Sequence, residues 1–502
     1  MKNSFYPSPD AVKEYADSKE YRRVPICREL MADRFTPIEV MRILSAADKH
    51  CFLLESAEQN QRWGRWSFLG CSPTLEITSN DGNLRIRGAL EGSEETETQI
   101  HVTHPKNEIR KILKEYKSPA IDGMPPFSGG LVGYFSYDYI KYSEPTLSFD
   151  ELSGGDFRDV DLMLFDQVIA FDGYRQKIYI IAGVDVTDTD KVYEEYDKAR
   201  GKIDDIVTLL SSGVRAYFPK LKLKGELTPR FSCEEYSQMV ERGKYYIKEG
   251  DIFQVVLSNP QSVEAEGSLF DTYRVLRSAN PSPYMFYFRS DDIEIAGASP
   301  ETLVKLENGT LHTFPLAGTR PRGRTREEDL ELERSLLADE KELSEHNMLV
   351  DLGRNDIGRI SELGTVEMES YLDILRFSHV MHIGSTVRGK LRGDMDALDA
   401  IDSILPAGTL SGAPKLRACE IISELEGERR GIYGGAVGYL DFTGNLDTCI
   451  AIRLAYKKNG VVTVRSGAGI VADSVPATEY KECINKAFAV VSAIHTAAEG
   501  LE

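Results

Sequence analysis

The sequence predicts an α+β fold in which large antiparallel β-sheets pack with helices. First, β-like runs are joined by short turns, as at Asn308-Gly309 between residues 302–306 and 311–314. Second, helical stretches interrupt these runs without the regular strand–helix–strand alternation of a parallel sheet. Third, residues 434–470 read as a strand meander with two glycine-containing turns. Antiparallel ladders interleaved with helices are typical of this fold class.

In the first 210 residues, β-like runs are followed by a helix. The β-like runs lie at 74–78, 162–171 and 178–184. An amphipathic stretch at 191–210 predicts a helix. Residues 211–230 are rich in Ser, Gly, Pro and Lys and have no clear period, which is typical of a linker. We therefore expect an N-terminal region of residues 1–215 and a second region of residues 225–495.

The second region begins with a well-marked helix. Ser232 and Glu235 form a capping-box signature, and Gly250 is suited to end the helix that they start. Pro414 suits the first turn of a later helix, because that position needs no backbone N–H donor. The elements expected after Gly250 are strands at 252–257 and 284–288, a charged helix at about 327–349, a helix from Pro414 through residue 426, and a helix from about residue 478 onward.

The charge of the chain excludes several classes of function. With 60 Lys and Arg against 80 Asp and Glu, the 502 residues carry a formal net charge of −20. Nucleic-acid binding needs clustered Lys and Arg, and anionic membrane surfaces repel acidic proteins. We therefore expect no nucleic-acid partner and no membrane partner. No segment approaches the roughly 20 apolar residues that span a bilayer.

The cysteines and the N-terminus predict a cytoplasmic protein. The seven Cys residues are scattered and form no C-x-x-C motif, which favours reduced thiols over a disulfide framework or a zinc site. Residues 1–10 contain one Lys and no apolar run of the kind found in signal peptides, so no secretory signal is expected.

Two glutamate pairs have the i, i+3 spacing of one helix face, namely Glu342 with Glu345 and Glu479 with Glu482. If the four carboxylates converged, they would repel one another unless a hard cation such as Mg²⁺ lay between them. A solvated helix face more often explains this spacing, and spacing alone favours that interpretation.

Three other motifs are less informative. The run Gly467-Ala468-Gly469-Ile470-Val471-Ala472 fits G-x-G-x-x-A, but too few residues follow it to complete a dinucleotide-binding unit. Its closely spaced N–H groups can still hold a carboxylate. His379 and His382 would point to opposite faces of a predicted strand at 377–387, which favours a single functional histidine or none. The basic loop 320–324 fits either a solvated loop or a functional one.

Several segments together resemble the motifs of chorismate-utilising enzymes. Residues 315–323 read PLAGTRPRG and resemble the P-[IL]-A-G-T-R-P-R-G signature of that superfamily. The other matching segments are 345–356 (EHNMLVDLGRND), 405–415 (LPAGTLSGAPK), 433–439 (YGGAVGY) and 466–471 (SGAGIV). Upstream, Leu53-Leu54-Glu55-Ser56 resembles the tryptophan-sensing motif of the anthranilate synthase component I family, so the resemblance covers nearly the whole chain.

Two positions distinguish the reactions of this superfamily. Where water is the nucleophile, a strand Lys acts as general base, whereas this chain has Gln254, whose neutral amide cannot take water's proton. Enzymes that make 4-amino-4-deoxychorismate carry a nucleophilic Lys where Ala317 stands. The resemblance therefore implies that ammonia adds at C2 of chorismate and that pyruvate is then lost to give anthranilate, the first step of tryptophan biosynthesis.

The resemblance also implies a role for each site residue. Mg²⁺ is expected at Glu345 and Glu482, with Glu342 and Glu479 nearby or acting through water. Chorismate is expected to contact Gly318, Thr319, Tyr433, Arg453, Gly467, Ala468 and Gly469. The expected catalytic residues are Glu301 as the acid for the C4 hydroxyl, His382 in the elimination, and Gln254 and Thr409 beside the ring.

The resemblance further implies feedback inhibition by L-tryptophan. The expected inhibitor site comprises Leu54, Glu55, Ser56, Pro283, Tyr284 and Met285. The Glu55 carboxylate and backbone groups would hold the ammonium of tryptophan, and Pro283 with Met285 would pack on the indole. Taken alone, the LLES motif more often marks a buried strand end followed by a helix start.

Ammonia is expected to come from a separate glutamine amidotransferase subunit, anthranilate synthase component II, because no glutaminase motif is visible in this chain. Other functions remain open at this point. Two of them also use ammonia: aminodeoxychorismate synthase component I, which Ala317 and the LLES motif oppose, and aminodeoxyisochorismate synthase, which His382 weakly opposes. A third is a water-using isochorismate synthase, which Gln254 opposes. The fourth is a non-catalytic tryptophan-binding regulator, which is disfavoured because the catalytic positions are filled by the expected residue types.

Overall fold

The structure is a computed structural model that describes residues 5–56, 64–88, 96–149, 152–376 and 380–501 of the 502-residue chain. Within these ranges, no helix combines the length and the apolar character that crossing a bilayer requires.

The helices within these ranges vary from one turn to more than six turns. They are α1 (Pro9–Ser18), α2 (Pro37–Ala47), α3 (Lys106–Glu115), α4 (Ile140–Ser143), α5 (Val192–Ser212), α6 (Cys233–Glu249), α7 (Phe270–Ala279), α8 (Arg326–Leu337), α9 (Glu340–Gly358), α10 (Ala397–Ile404), α11 (Lys415–Glu426) and α12 (Pro476–Glu499). A short 3₁₀ turn also spans Gly408–Leu410.

The strands of the N-terminal half are β1 (Arg23–Met31), β2 (Cys51–Glu55), β3 (Trp66–Cys71), β4 (Leu75–Asn80), β5 (Asn83–Gly88), β6 (Thr96–His101), β7 (Gly130–Phe135), β8 (Val160–Phe165), β9 (Gln167–Asp172), β10 (Lys177–Asp185), β11 (Lys222–Leu223) and β12 (Thr228–Pro229). Those of the C-terminal half are β13 (Gln254–Glu266), β14 (Tyr284–Arg289), β15 (Ile293–Ser299), β16 (Thr302–Glu307), β17 (Thr310–Thr313), β18 (Leu316–Pro321), β19 (Glu367–Arg376), β20 (Val380–Lys390), β21 (Gly412–Ala413), β22 (Ala436–Asp441), β23 (Leu446–Ile450), β24 (Leu454–Lys458) and β25 (Val461–Ile470).

These strands form two large sheets, each with antiparallel neighbours. The first sheet runs in the order β1-β10-β9-β3-β2-β14-β15-β24-β25-β13-β11, and β12 and β21 also pair with β13. The second sheet runs in the order β18-β20-β17-β16-β23-β22-β7-β8-β4-β5-β6, with β19 beside β20. This architecture confirms the predicted α+β class.

The core lies in three layers around the two sheets. Between the sheets, the rings of Phe52 and Phe165 lie 4.7 Å apart, and those of Tyr134 and Phe288 lie 6.3 Å apart. The other face of the first sheet packs on α1, α2, α5, α7 and α12. The other face of the second sheet packs on α3, α9 and α10.

Strands from both predicted regions share each sheet. In the first sheet, β2 pairs with β14, and in the second, β7 pairs with β22. The two regions are therefore joined by main-chain hydrogen bonds, and the division near residues 215–225 stays a prediction. The predicted linker at 211–230 contains the end of α5 and the short strands β11 and β12.

Local signals predicted several elements well. The capping box of Ser232 and Glu235 starts α6, and Gly250 ends it in the left-handed region with φ 86°. Asn308 and Gly309 have φ values of 51° and 77° and turn β16 into β17. The helix predicted from Pro414 begins one residue later.

Two predicted elements were wrong because each is divided. The predicted run 162–171 breaks at Asp166, because β8 belongs to the second sheet and β9 to the first. The predicted helix 327–349 consists of α8 and α9, because Asp339 leaves the helix and caps the second segment.

Candidate active site

The four glutamates predicted to bind metal lie on two helices. The Asp339 carboxylate accepts hydrogen bonds from N–H groups of the first turn of α9, including that of Glu342 at 3.3 Å. Glu345 follows one turn later on the same face. Glu479 and Glu482 have the same spacing near the start of α12.

The charges of the two helices influence one another. Burial raises the pKa of Glu345, the neighbouring Glu342 raises it further, and so does Glu482 of the other helix, while lysines oppose the shift. Burial, aided by Glu482, likewise raises the pKa of Glu479. Because like charges are gathered here, a divalent cation would relieve their repulsion. Carboxylate oxygens are also the donors that Mg²⁺ prefers, so the donor set fits that ion in kind.

Cationic side chains occupy part of this acidic region. The Lys486 ammonium lies 2.7 Å from Glu482, and the Arg320 guanidinium donates to Glu342 at 3.3 Å. Within the described ranges, no three of the four glutamates bring oxygen atoms within 4.8 Å of one another. The carboxylates are therefore near one another without forming a closed cage.

A different cluster, remote in sequence, does bring three ligand-type atoms within 4.8 Å, and it comprises His50, Glu76 and Asp291. Arg87 donates to both Glu76 oxygens at 2.8 and 2.7 Å and lies 3.0 Å from Asp291. Lys49 also lies 3.1 Å from Asp291. Because these cations already neutralise the carboxylates, the cluster is a salt-bridge network.

Glu301 lies in the link between β15 and β16. Its N–H contacts the Ser299 hydroxyl at 3.4 Å, and its carbonyl accepts from the N–H of Ile450 at 2.9 Å, which fixes the backbone. The Thr409 hydroxyl donates to its carboxyl at 3.2 Å. Burial raises the pKa of Glu301 to about 8. A carboxyl with this pKa carries a proton near neutral pH, as a general acid must.

Gln254 and the glycine-rich strand lie together because β13 pairs with β25. Val256 is opposite Gly469, and Leu257 is opposite Ala468. A Cβ on Gly469 would lie only 2.6 Å from Nε2 of Gln254, so the glycine gives this amide its space. The Gln254 Oε1 is buried and has no hydrogen-bond partner among the described residues.

Tyr433 approaches the same strand at Gly467. A Cβ on Gly467 would lie 3.0 Å from the Tyr433 hydroxyl and 2.6 Å from the Leu257 carbonyl oxygen. Arg453 is held by a hydrogen bond from its guanidinium to the carbonyl of Lys486 on α12. Burial lowers the pKa of Arg453, whereas the charges of Tyr433 and then Glu482 act to raise it. Arg453 thus lies in electrostatic range of both the tyrosine and the acidic helix.

His382 is placed by the pairing of β18 with β20, in which it is opposite Thr319. Its Nδ1 lies 2.8 Å from the Gly318 carbonyl and 3.2 Å from the Thr319 hydroxyl. A carbonyl only accepts, so Nδ1 carries the proton and Nε2 is the basic nitrogen. Burial lowers the pKa of His382, which favours the neutral ring. The other predicted histidine, His379, lies outside the described residues.

Two cavities adjoin these groups. The larger is open and measures about 480 Å³, within the usual range for small-molecule sites. It is lined by Arg453, Thr478, Lys481, Glu482, Asn485 and Lys486. A smaller cavity of about 40 Å³ has Glu301 and Thr409 in its wall. Lys486 lowers the pKa of Glu301 electrostatically, so charges at the two cavities influence each other.

The two halves of the predicted tryptophan site are brought together by the pairing of β2 with β14. Glu55 is opposite Met285, and Pro283 immediately precedes β14. The Ser56 hydroxyl is buried without a hydrogen-bond partner in the described part of the chain. The Tyr284 hydroxyl donates a hydrogen bond to the Asp447 carboxylate at 2.8 Å and lies 2.9 Å from the Thr302 hydroxyl. Leu54 is opposite Phe286 in the same pairing.

The Glu55 carboxylate, predicted to hold the ammonium of tryptophan, is contacted by three neighbouring side chains. It accepts hydrogen bonds from Tyr273 at 2.6 Å, from Arg277 at 2.8 and 3.1 Å, and from Ser67 at 3.3 Å. The guanidinium neutralises the charge that was expected to hold the ammonium of tryptophan. In the predicted site, the ammonium of tryptophan would then be held by backbone groups and the Ser56 hydroxyl.

Sequence reasoning missed Lys486. This residue is paired with Glu482, accepts a hydrogen bond from Arg453 through its carbonyl, and acts electrostatically on Glu301 and Glu345. Its position four residues after Glu482 puts it on the same face of α12, and that spacing was the signal available in the sequence.

Known proteins resemble this chain over nearly its whole length. A family model described as chorismate binding enzyme matches residues 49–492. Anthranilate synthase component 1 of Acetivibrio thermocellus is 45% identical over 504 residues, covering 99% of each chain. That of Aquifex aeolicus is 43% identical over 490 residues, covering 97% of each chain.

Solved structures agree in fold. The crystal structure of anthranilate synthase component I from Streptococcus pneumoniae is 37% identical with a TM-score of 0.73, covering 86% of this chain and 93% of that one. The fold is shared by the menaquinone-specific isochorismate synthase of Escherichia coli. That structure is 18% identical with a TM-score of 0.68, covering 97% of this chain and 98% of that one. The fold, the site and these matches define a chorismate-binding enzyme. Within that class, the chain belongs to the anthranilate synthase component I family.

Proposed function

We propose that the protein is the large subunit of an anthranilate synthase, a lyase that converts chorismate and ammonia to anthranilate and pyruvate. The observation that carries this proposal is Glu301, a partly buried carboxyl with a pKa of about 8 that receives a hydrogen bond from Thr409. The family membership of the chain supplies the substrate class.

Binding of the substrate would use a cation and backbone donors. Arg453, together with Gly467, Ala468 and Gly469, would hold the enolpyruvyl carboxylate, and Tyr433 would contribute its hydroxyl. Thr409, Gly318 and Thr319 would line the ring. Because Gly467 and Gly469 carry no side chain, Tyr433 and Gln254 can lie close to this strand.

The choice of nucleophile depends on Gln254 and Ala317. A neutral amide cannot deprotonate water, whereas ammonia is nucleophilic without a base. The methyl group of Ala317 cannot form a covalent intermediate with the ring. Both residue types favour direct addition of ammonia at C2.

Two proton movements follow from the site. Glu301 would give its proton to the C4 hydroxyl, which leaves as water while ammonia forms the C2–N bond as an ammonium and both ring double bonds each shift by one position. Nε2 of His382 would then take the proton from C2 as the C3–O bond breaks. The enolpyruvyl group leaves as enolpyruvate, which becomes pyruvate when its methylene carbon takes up the proton that His382 removed from C2, and the ring becomes aromatic.

The acidic residues of α9 and α12 fit a resident Mg²⁺. Glu345 and Glu482 would hold it, with Glu342 and Glu479 nearby or acting through water. When bound, the ion would supply Lewis-acid stabilisation of negative charge on the ring carboxylate of chorismate.

The proposal extends to supply and control. Ammonia is mostly protonated in cells, so a glutamine amidotransferase subunit would deliver it to this cytoplasmic enzyme. L-Tryptophan would bind beside β2 and β14 as feedback inhibitor. Replacing Ser56 by Phe should place a bulky ring where the buried hydroxyl lies and raise the tryptophan concentration needed for half inhibition. Unchanged sensitivity would remove this position from the inhibitor site.

One assay separates the candidate functions. Purified protein is incubated with chorismate, Mg²⁺ and ammonium at high pH, and anthranilate fluorescence and pyruvate are followed together. Equal amounts of both products are expected. Isochorismate, an accumulated amino intermediate or 4-amino-4-deoxychorismate would instead identify the corresponding synthase, and no turnover would favour a regulator.

A further inference from the structure

Beneath the site lies an ion pair that no catalytic step above uses. Glu426 is the last residue of α11, and Arg430 follows it by four residues. Their side chains are 0% and 1% exposed. The guanidinium donates to the two carboxylate oxygens at 3.0 and 2.6 Å. Removing two charges from water costs several kcal/mol per ion, so such a pair is weak evidence for stability.

The remaining donors of Arg430 connect two elements of the site. One N–H donates at 2.6 Å to the carbonyl of Leu410, the residue after Thr409. Another donates at 2.7 Å to the carbonyl of Val256, which is opposite Gly469 in the β13–β25 pairing. The planar guanidinium fixes these directions in a way that a lysine ammonium does not.

Glu426 completes the connection. Its carboxylate accepts from the backbone N–H and the hydroxyl of Ser258 at 2.7 and 3.0 Å. Ser258 is opposite Gly467 in the same pairing. The ion pair therefore contacts β13 at the two positions that face the terminal glycines of the proposed carboxylate-binding strand.

The guanidinium also lies beside two aromatic rings. Its central carbon is 4.7 Å from the ring centre of Tyr137 and 5.7 Å from that of Tyr433, within cation–π range. Tyr433 is the residue whose hydroxyl approaches Gly467. One buried charge thus touches the Thr409 turn, the glycine strand by way of β13, and Tyr433.

We propose that Arg430, held by Glu426, is a positioning residue for the chorismate site, which sets the distance between the Thr409 turn and the glycine strand. This inference rests on the proposed function. A ligand that bridges these elements loses contacts when they shift, and displacements near 1 Å cost on the order of 100-fold in catalysis.

The test compares Arg430→Lys with the control Arg429→Lys. Arg429 is also buried, but it bonds Asp81 at 2.9 and 3.0 Å and the Phe149 carbonyl at 3.3 Å, away from the site. Chorismate KM, kcat, the Mg²⁺ concentration for half activation and the melting temperature are measured for wild type and both variants.

Arg430→Lys should raise the chorismate KM roughly tenfold and lower kcat. The Mg²⁺ requirement should stay within about twofold, because in the described part of the chain no hydrogen bond or salt bridge joins α9 or α12 to either side chain of the ion pair. Arg429→Lys should leave the chorismate KM unchanged. An unchanged KM in a folded Arg430→Lys, or equal KM changes in the two variants, would overturn the proposal.

Two further measurements keep the result decisive. If Arg430→Lys does not fold, the double variant Glu426→Gln/Arg430→Gln, which leaves no unpaired buried charge, should show the same rise in KM. If the wild type makes no anthranilate, the proposed function fails. The positioning role is then judged by the Kd of chorismate in calorimetry, which should rise in Arg430→Lys and not in Arg429→Lys.

Discussion

The carboxyls of Glu301, which is partly buried, and Glu55, which is buried, have opposite surroundings. Among the described residues, the Glu301 carboxyl accepts one hydrogen bond, from the neutral hydroxyl of Thr409. Glu55 is bound by the guanidinium of Arg277, the hydroxyl of Tyr273 and that of Ser67. Burial raises the pKa of Glu301 to about 8, so that carboxyl keeps its proton near neutral pH. The hydrogen bonds to Glu55 instead fix the side chains around it. The first arrangement suits proton transfer, and the second suits a rigid strand end.

The largest effect is expected at Glu301. The change Glu301→Gln keeps the shape but removes the acid, so turnover should fall by about 10²- to 10⁴-fold while chorismate still binds. Steady-state kinetics and calorimetric titration with chorismate check this. Glu55→Gln is the matched control and should retain most of the activity without tryptophan. Similar losses in both variants would show that the two carboxyls do not differ in role.

The next largest effect concerns the acidic helices. Glu345→Gln should raise the Mg²⁺ concentration for half activation by about 10- to 100-fold, because a carboxylate donor is lost. The same variant should lose the Mg²⁺-dependent rise in melting temperature, which needs no turnover to be seen. Glu340→Gln, in the first turn of the same helix, is the control and should leave both quantities unchanged. A normal Mg²⁺ response in Glu345→Gln would exclude this residue from the metal site.

A smaller effect is expected at the partnered carboxyl. Arg277→Ala leaves Glu55 with two neutral donors, and losing the charged hydrogen bonds should cost about 2 kcal/mol of unfolding free energy. Urea unfolding measures this value. Arg274→Ala on the same helix removes only an i, i+3 pair with Asp271 and should cost much less. Equal losses would mean that Glu55 does not depend on its cation.

The smallest expected effect on stability concerns His50, which lies next to the end of β2 opposite to Glu55. The pKa of His50 is raised above 6.5, mainly by its hydrogen bond to Asp48. Burial opposes this rise, and Asp291 and then Glu76 add to it. Arg87, Arg85 and Lys49 also face these carboxylates.

A histidine with a raised pKa stabilises the fold when protonated. Its contribution is fully present below pH 6.5 and is lost as the pH rises through the folded pKa. His50→Gln should therefore lower the melting temperature at pH 6 more than at pH 9, whereas the exposed His101→Gln should not. A loss independent of pH would contradict the protonated state of His50.

The sequence predicted the local features of this fold better than its long-range partners. The capping box of α6 and the hairpin turn at Asn308 are local signals, and both are present. The break at Asp339 was missed because it carries neither Gly nor Pro. The Arg277 partner of Glu55 lies 222 residues away in the sequence, so no spacing rule connects them. The family motifs supplied the proposed active-site positions, but the raised pKa of Glu301 depends on burial that only the folded chain provides.

The acid role of Glu301 can be tested most directly by the pH dependence of turnover at constant free ammonia, with total ammonium adjusted at each pH. The pKa of Glu301 is about 8, so the rate per free ammonia should be steady near neutral pH and fall tenfold per pH unit well above pH 8. The residual activity of Glu301→Gln should lack this fall. A wild-type rate that stays level to pH 9.5, or the same fall in Glu301→Gln, would contradict Glu301 as the proton donor.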